Sequence, residues 1–369
     1  PMNPVHAFLR GRNGDRIIYA PNYWQWFTHH QEHNKLPEEL KHCNTQLELI
    51  NHLGLDVFSR NIYADPHKHW FGGLSEERFD GVLKSEKSYN EGSNSVIEKN
   101  YETSKGLLTE KLTYIHNEST LVQSKFLIDD YENQLNLLEQ FVSSRSWRFK
   151  PEAYQKIKEQ VGEKGVVMAG EFFSPLKMLH LTLGLADTTF FLVFHEDRAK
   201  ELVKIHEAAQ LDLLRQMLEG GVEVVISMDN LDSMFHPPDH VEAYSASFYE
   251  KASALCHQYG GKFFIHACGQ QKANLPLISS LGVDGLEGVA YPPLGNVELD
   301  EAFSMVHDRF IITGGISAFE TADLKTREEV FQYVKNLFER MKPFANRFIF
   351  SASCNTAINT SWETLKHFR

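Results

Sequence analysis

The sequence predicts an α/β protein built as a (β/α)8 TIM barrel. Three observations carry that expectation: eight short β-branched runs, amphipathic helical stretches between most of them, and no linker, repeat or low-complexity tract along 369 residues. In order, the runs are RIIYA (16–20), LDVFSR (55–60), VVMAG (166–170), VEVVISM (222–228), KFFIHAC (262–268), VDGLEGV (283–289), RFIITGG (309–315) and RFIFSAS (347–353). Residues 197–218 place Leu202, Ile205, Ala209, Leu213 and Met217 three or four apart, the spacing of one buried helix face. The stretches 241–257, 272–281 and 325–341 read the same way, the last opened by Thr326 and Glu329 in capping-box spacing. Strands alternating with helices pair in parallel through right-handed crossovers, so a closed barrel comes first and an open doubly wound sheet second. The rhythm breaks at about 79–128, where SVIEKNYET, KLTYIHN and TLVQSKFLI read as a β-hairpin insertion on one barrel face. Helices follow near 130–143 and 151–161, and one elaborated domain over 1–369 is expected.

Composition narrows the functional classes. Lys and Arg number 37 against 49 Asp and Glu, a net charge of −12 that repels nucleic acid and anionic membranes. No apolar run reaches the roughly 18–20 residues of a membrane helix. The opening PMNPVHAFLRGRNGD lacks the apolar stretch of a secretory signal, which points to a cytoplasmic protein with reduced thiols. The four cysteines, Cys43, Cys256, Cys268 and Cys354, are too few and scattered for a disulfide scaffold. A homodimer is compatible with this composition.

Barrel active sites sit at the C-terminal ends of the strands. KFFIHAC ends there with His266 and Cys268, two apart and therefore on one face. RFIFSAS leads to Cys354, which a closed barrel brings to the same rim. Imidazole plus two thiolates with one open position is a catalytic zinc arrangement. The same residues also read as two small buried hydrophobes and a core histidine, and spacing alone leaves both readings open. Cys43 and Cys256 lie in helical stretches and are expected in the core.

The segments FFIHACGQQKANLPLISSLGVDGLEG, YPPLGNVELDEAF and FIITGGIS resemble successive signatures of the uroporphyrinogen decarboxylase superfamily. ISMDNLDSMFHPP and GLLTEKLTY are similar to it more loosely, so the likeness runs from about residue 106 onward. The resemblance implies a (β/α)8 barrel and one of two activities. The decarboxylase branch grips an acidic tetrapyrrole through paired arginines, which RIIYAPNYWQWFTHH lacks although Arg10, Arg12 and Arg16 lie near. The zinc-dependent, corrinoid-linked methyltransferase branch carries H-x-C and a distant Cys on the last strand, matched by His266, Cys268 and Cys354. That branch implies zinc, often with a carboxylate as fourth ligand. Glu171 is the first candidate and Asp229 the second, each also a candidate catalytic group; an ordinary loop carboxylate and a turn-capping residue are their structural alternatives.

The branch further implies a cobalamin (corrinoid) cofactor on a separate corrinoid protein, since no D-x-H-x-x-G corrinoid motif is evident here. The methyl donor would be a methylated small molecule; a thiol or tetrahydrofolate acceptor is the reverse possibility. Aromatic residues after the first strand suit an aryl methyl ether, making Tyr19, Asn22, Trp24 and Trp26 candidate substrate contacts. His236 and Tyr291, on strand-end loops, complete the set. Packing of a long loop onto the barrel is the alternative account of Trp24, Trp26 and Phe27, and an inert surface loop that of His236.

Overall fold

The computed structural model describes residues 3–69 and 72–369. All eight predicted runs form strands: β1 (Ile18–Tyr19), β2 (Val57–Ser59), β3 (Gly165–Phe172), β4 (Val224–Ser227), β5 (Lys262–His266), β6 (Gly285–Val289), β7 (Ile311–Ile316) and β8 (Phe348–Ala352). They form one curled sheet in the order β1-β8-β7-β6-β5-β4-β3-β2, with every neighbouring pair parallel. This is (β/α)8 barrel order, with β1 and β2 meeting at a seam. Among the described residues no ladder joins those two strands, and side chains bridge the seam instead. Arg16 Nη2 lies 3.5 Å from Asp56 Oδ2 ahead of the strands, and Asn22 Nδ2 donates to Asn61 Oδ1 at 3.0 Å beyond them.

Alternation along the strands sets the two layers of the core. Ile18, Phe58, Val166, Met168, Val224, Ile226, Phe264 and Ile349 pack together in the barrel interior. Val5 and Phe8 join them from the helix Pro4–Leu9, which plugs the N-terminal mouth. The intervening Val167, Val225, Phe263, Ile265, Phe348 and Phe350 belong to the layer between sheet and helices. Two predicted helices form almost as read, at Glu196–Glu219 and Arg327–Met341. In the second, Thr326 Oγ1 accepts from the Glu329 backbone N–H at 3.2 Å and Glu329 returns the contact at 2.8 Å. The stretch 241–257 divides into Pro238–Tyr244 and Ala246–Gln258, because Pro238 opens its own first turn and Ser245 leaves helical geometry.

The helices Pro175–Leu183 and Leu185–Phe194 are additional to the sequence reading. The second is apolar nearly all round, with Leu185, Phe190, Val193 and Phe194 exposed, so no periodicity marks it. Antiparallel structure occupies the predicted insertion and extends beyond it. Ser75–Phe79 pairs with Arg145–Phe149, enclosing a meander of Leu83–Glu91, Asn94–Thr103, Gly106–Ile115 and Thr120–Lys125 and the helix Tyr131–Ser144. Tyr101 and Leu108 of the meander share a core with Phe141, Leu176, Leu179 and Phe191. Among the described residues, no single helix is long and apolar enough to cross a membrane.

Candidate metal centre

Strand alternation decides which side chains reach the barrel's C-terminal mouth. Phe264 faces the interior, so His266 does too; Phe58 does the same for Arg60, and Glu287 lies opposite in register to the outward Leu286. Cys268 follows β5 and Cys354 follows β8. The donor atoms of His266, Cys268 and Cys354 all lie within 4.8 Å of one another, a grouping able to hold a metal ion. Cys354 Sγ is 3.9 Å from His266 Nε2. Cys268 adopts φ +78°, a left-handed conformation rare for a residue with a side chain. The chain turns back there, tied by Gln271 Nε2 donating to the Cys268 carbonyl at 2.6 Å. Gly269 follows at φ +73°, and a Cβ there would fall 1.8 Å from Asp232 Oδ2. Only glycine fits.

Behind the three donors runs a buried polar chain. Glu287 is hydrogen-bonded to His266 Nδ1, which leaves Nε2 facing the thiols. Arg60 Nε donates to the same carboxylate at 3.0 Å, and Arg60 Nη2 donates to the Cys354 carbonyl at 3.4 Å. Asn22 Nδ2 donates to that carbonyl at 3.1 Å. Arg60 is 2% exposed and Glu287 6%, so each charge depends on the other. Burial opposes ionisation of Glu287, but Arg60 and His266 hold its pKa down at about 2. For His266, burial and Arg60 oppose the cation while Glu287 and Cys354 outweigh them, and its pKa rises. A hydrogen bond from the Cys268 thiol holds Cys354 well below the usual thiol range against burial, with help from His266 and Arg60. Cys268 is correspondingly raised, first by Cys354 and then by burial. Metal ligation requires thiolates, so a cation held here would release the Cys268 proton.

Cys268 opens onto a cavity of about 350 Å³. Its walls come from the loop after β4 (Asp232, Phe235, His236), from Gly269 after β5, from Lys177 and His180 of the helix Pro175–Leu183, and from the insertion, which supplies Gln123 and Phe126. His180 and His236 stack edge to face at 4.8 Å. Burial holds both imidazoles neutral, His180 at about 3 and His236 well below its usual value.

The predicted residues divide clearly. His236 lines the cavity and Asn22 braces Cys354, whereas Glu171 and Asp229 do not join the metal-holding group. Three residues of β3 span two of β4 at Glu171, a bulge that re-aims the side chain. Its carboxylate accepts from the backbone N–H groups of Leu74 and Ser75, the latter at 2.7 Å, and from the Ser75 hydroxyl. Asp229 continues the outward register of Val225 and Ser227. It accepts from the Ser174 N–H at 2.9 Å, the Ser227 hydroxyl at 3.0 Å and the Tyr249 hydroxyl. The aromatic segment folds as the helix Trp24–Glu32. Trp24 is buried, and Trp26 is buried with Nε1 donating to the Thr360 carbonyl at 2.8 Å. Tyr19 meets the Tyr23 hydroxyl at 2.9 Å, and Tyr291 bonds Glu320 and the Tyr333 hydroxyl. The packing alternative describes these aromatics. Arg60, Glu287, Lys177 and His180 were not singled out from sequence; a charged residue inside the apolar run VDGLEGV was the available signal for Glu287.

The uroporphyrinogen decarboxylase (URO-D) family model matches residues 113–369, well over half the chain. The chain belongs to the uroporphyrinogen decarboxylase family. No curated protein matches it. Among solved structures, this family member is similar to a methyltransferase from Methanosarcina mazei, at 15% identity and TM-score 0.62, covering 100% of this chain and 97% of that one. A D-psicose 3-epimerase from Clostridium cellulolyticum H10 matches 59% of this chain and 80% of its own, at 8% identity and TM-score 0.36. The first likeness supports the barrel; the second carries no weight.

Proposed function

We propose that this family member is a zinc-dependent methyltransferase. It moves a methyl group from a methylated small molecule of the aryl methyl ether class to the cob(I)alamin of a separate corrinoid protein. The observation that carries this reading is the convergence of His266, Cys268 and Cys354 at the edge of a cavity. One imidazole and two sulfurs fit a borderline-soft ion. Tetrahedral zinc, bonded at about 2.0–2.3 Å, spaces its donors roughly 3.4–3.8 Å apart, and Cys354 Sγ stands 3.9 Å from His266 Nε2. Three protein donors leave one position for substrate. Glu171 and Asp229, whose oxygens are engaged elsewhere, take no ligand role in this proposal.

When bound, zinc supplies Lewis acidity to the atom carrying the methyl group. The chain's own residues do the rest. Glu287 fixes the imidazole tautomer from behind. Arg60 favours the Cys354 thiolate and neutralises Glu287. Phe126 and Phe235 offer apolar walls to an aromatic substrate, while His236 and His180 face it as neutral polar groups. Leu185 lies at the cavity, and its helix exposes Phe190, Val193 and Phe194 to 51%, 64% and 68%. Apolar surface of that kind supports docking of the corrinoid protein over the same mouth.

Metal content of the wild type against Cys354→Ser, with methylation of cob(I)alamin by methoxyarenes followed spectroscopically, tests the proposal. Stoichiometric zinc in the wild type and its loss in the variant are expected. A zinc-free wild type, or full methyl transfer by Cys268→Ala, overturns it.

A further inference from the structure

Lys177 occupies the first turn of the helix Pro175–Leu183, with its backbone N–H held by Ser174 Oγ at 3.2 Å. Ser174 is in turn fixed by Asp229, so the lysine is aimed by a rigid, buried anchor. An ammonium there sits at the positive end of the helix and in the cavity wall, and both placements disfavour a cation. Yet it forms no ion pair among the described residues. The nearby acids are held by other donors: Asp229 accepts three hydrogen bonds and attracts the ammonium only at a distance, and Asp232 Oδ1 accepts from the Met234 N–H at 2.8 Å. Two further polar groups of the same wall are unsatisfied. His180 and His236 are 7% and 1% exposed, and each has an Nδ1 without a hydrogen-bond partner.

A half-buried cation with no direct ion pair and two buried imidazoles with unmet hydrogen-bonding capacity need an explanation, because such groups are ordinarily paired. We infer that Lys177, with His180, receives an anionic group of the substrate, so that the methylated compound is an acid rather than a neutral ether. Its carboxylate lies on the Lys177 side of the cavity and its methyl-bearing atom on the Cys268 side. This rests on the reading of the cavity as the substrate site. Lys177 acts as a specificity-determining residue and takes no part in bond making.

Calorimetric titration of the zinc-loaded protein with 4-methoxybenzoate and with neutral 4-methoxybenzyl alcohol tests it. The acid is expected to bind about 10- to 100-fold more tightly, the worth of a hydrogen bond to a charged group. Lys177→Met should level the two affinities, and Lys177→Arg should keep part of the preference. Lys177→Met removes a charge that helps keep the buried Asp229 carboxylate ionised, so it should fold with unchanged zinc content and a modestly lowered thermal midpoint, which Lys177→Arg should restore. Equal binding of the two probes, a preference surviving in Lys177→Met, or no saturable binding of the acid overturns the inference. Methyl transfer measured alongside separates the two proposals. Equal demethylation of acid and alcohol retains the methyltransferase and removes the lysine's role; Lys177-dependent acid binding without any transfer does the reverse.

Discussion

Glu287→Gln tests the buried chain behind the metal donors most directly. The substitution keeps the side chain's shape and removes its charge, leaving the Arg60 guanidinium, 2% exposed, opposite a neutral amide. Breaking a buried pair from one side costs about 3–5 kcal/mol. At roughly 2 °C per kcal/mol for a large domain, this lowers the thermal midpoint by about 6–10 °C. The same change takes the carboxylate from behind His266, and losses of that kind weaken metal binding about 10- to 100-fold. Thermal melts and competition for zinc against a chromophoric chelator read the two effects separately. The double variant Arg60→Met, Glu287→Leu should lose less stability than Glu287→Gln, because no charge is left unpaired. If Glu287→Gln melts within about 1 kcal/mol of wild type and holds zinc as tightly, the linkage of Arg60, Glu287 and His266 has no energetic content.

Asp229→Asn should cost about 1–3 kcal/mol, since an amide cannot accept from all three of its donors, while zinc content stays intact; loss of zinc would return Asp229 to the ligand shell. Burial raises Glu171 from 4.5 to about 7 against the hydrogen bonds from Ser75 and Leu74. A carboxyl raised in the folded state binds its proton more tightly there than in the unfolded chain, so its contribution is present below pH 4.5 and lost as pH rises through about 7. Melting Glu171→Gln across that window should show a flatter profile than wild type, and parallel profiles would refute the assignment. Gly269→Ala should cost about 1–3 kcal/mol and disturb the Cys268 turn, because the residue is left-handed and the new methyl meets Asp232; an unperturbed melt and metal affinity would show that the loop yields freely.

The barrel was legible because its signal is local. Eight β-branched runs and the helices between them each announce themselves within a few residues, and the capping box at Thr326 formed as spaced. Strand spacing suggested that His266 and Cys268 share a face, and their donors do lie together, although β5 ends at His266 and Cys268 reaches the group from a left-handed turn. Direction was harder. Register puts Asp229 on the helix side of β4, and a bulge turns Glu171 toward Ser75; neither is visible in composition. The tryptophans after β1 carry the same apolar signature whether they line a pocket or pack a helix, and burial decided it for Trp26. Lys177 escaped notice because its helix is short and mostly apolar, and because the lack of an ion pair is a property of its neighbours.

The join between β1 and β2 has a consequence for the empty and loaded forms. A hoop laced along seven edges and merely pinned on the eighth gives way at the pins, and one of them, Asn22, also steadies the carbonyl of Cys354. An ion held by Cys354 and the end of β5 would tie those two strand ends together and so would steady that weak side from within. Amide exchange near residues 18–23 and 57–61 should therefore slow on loading more than anywhere else around the ring, which makes the looseness of a single edge a gauge of occupancy.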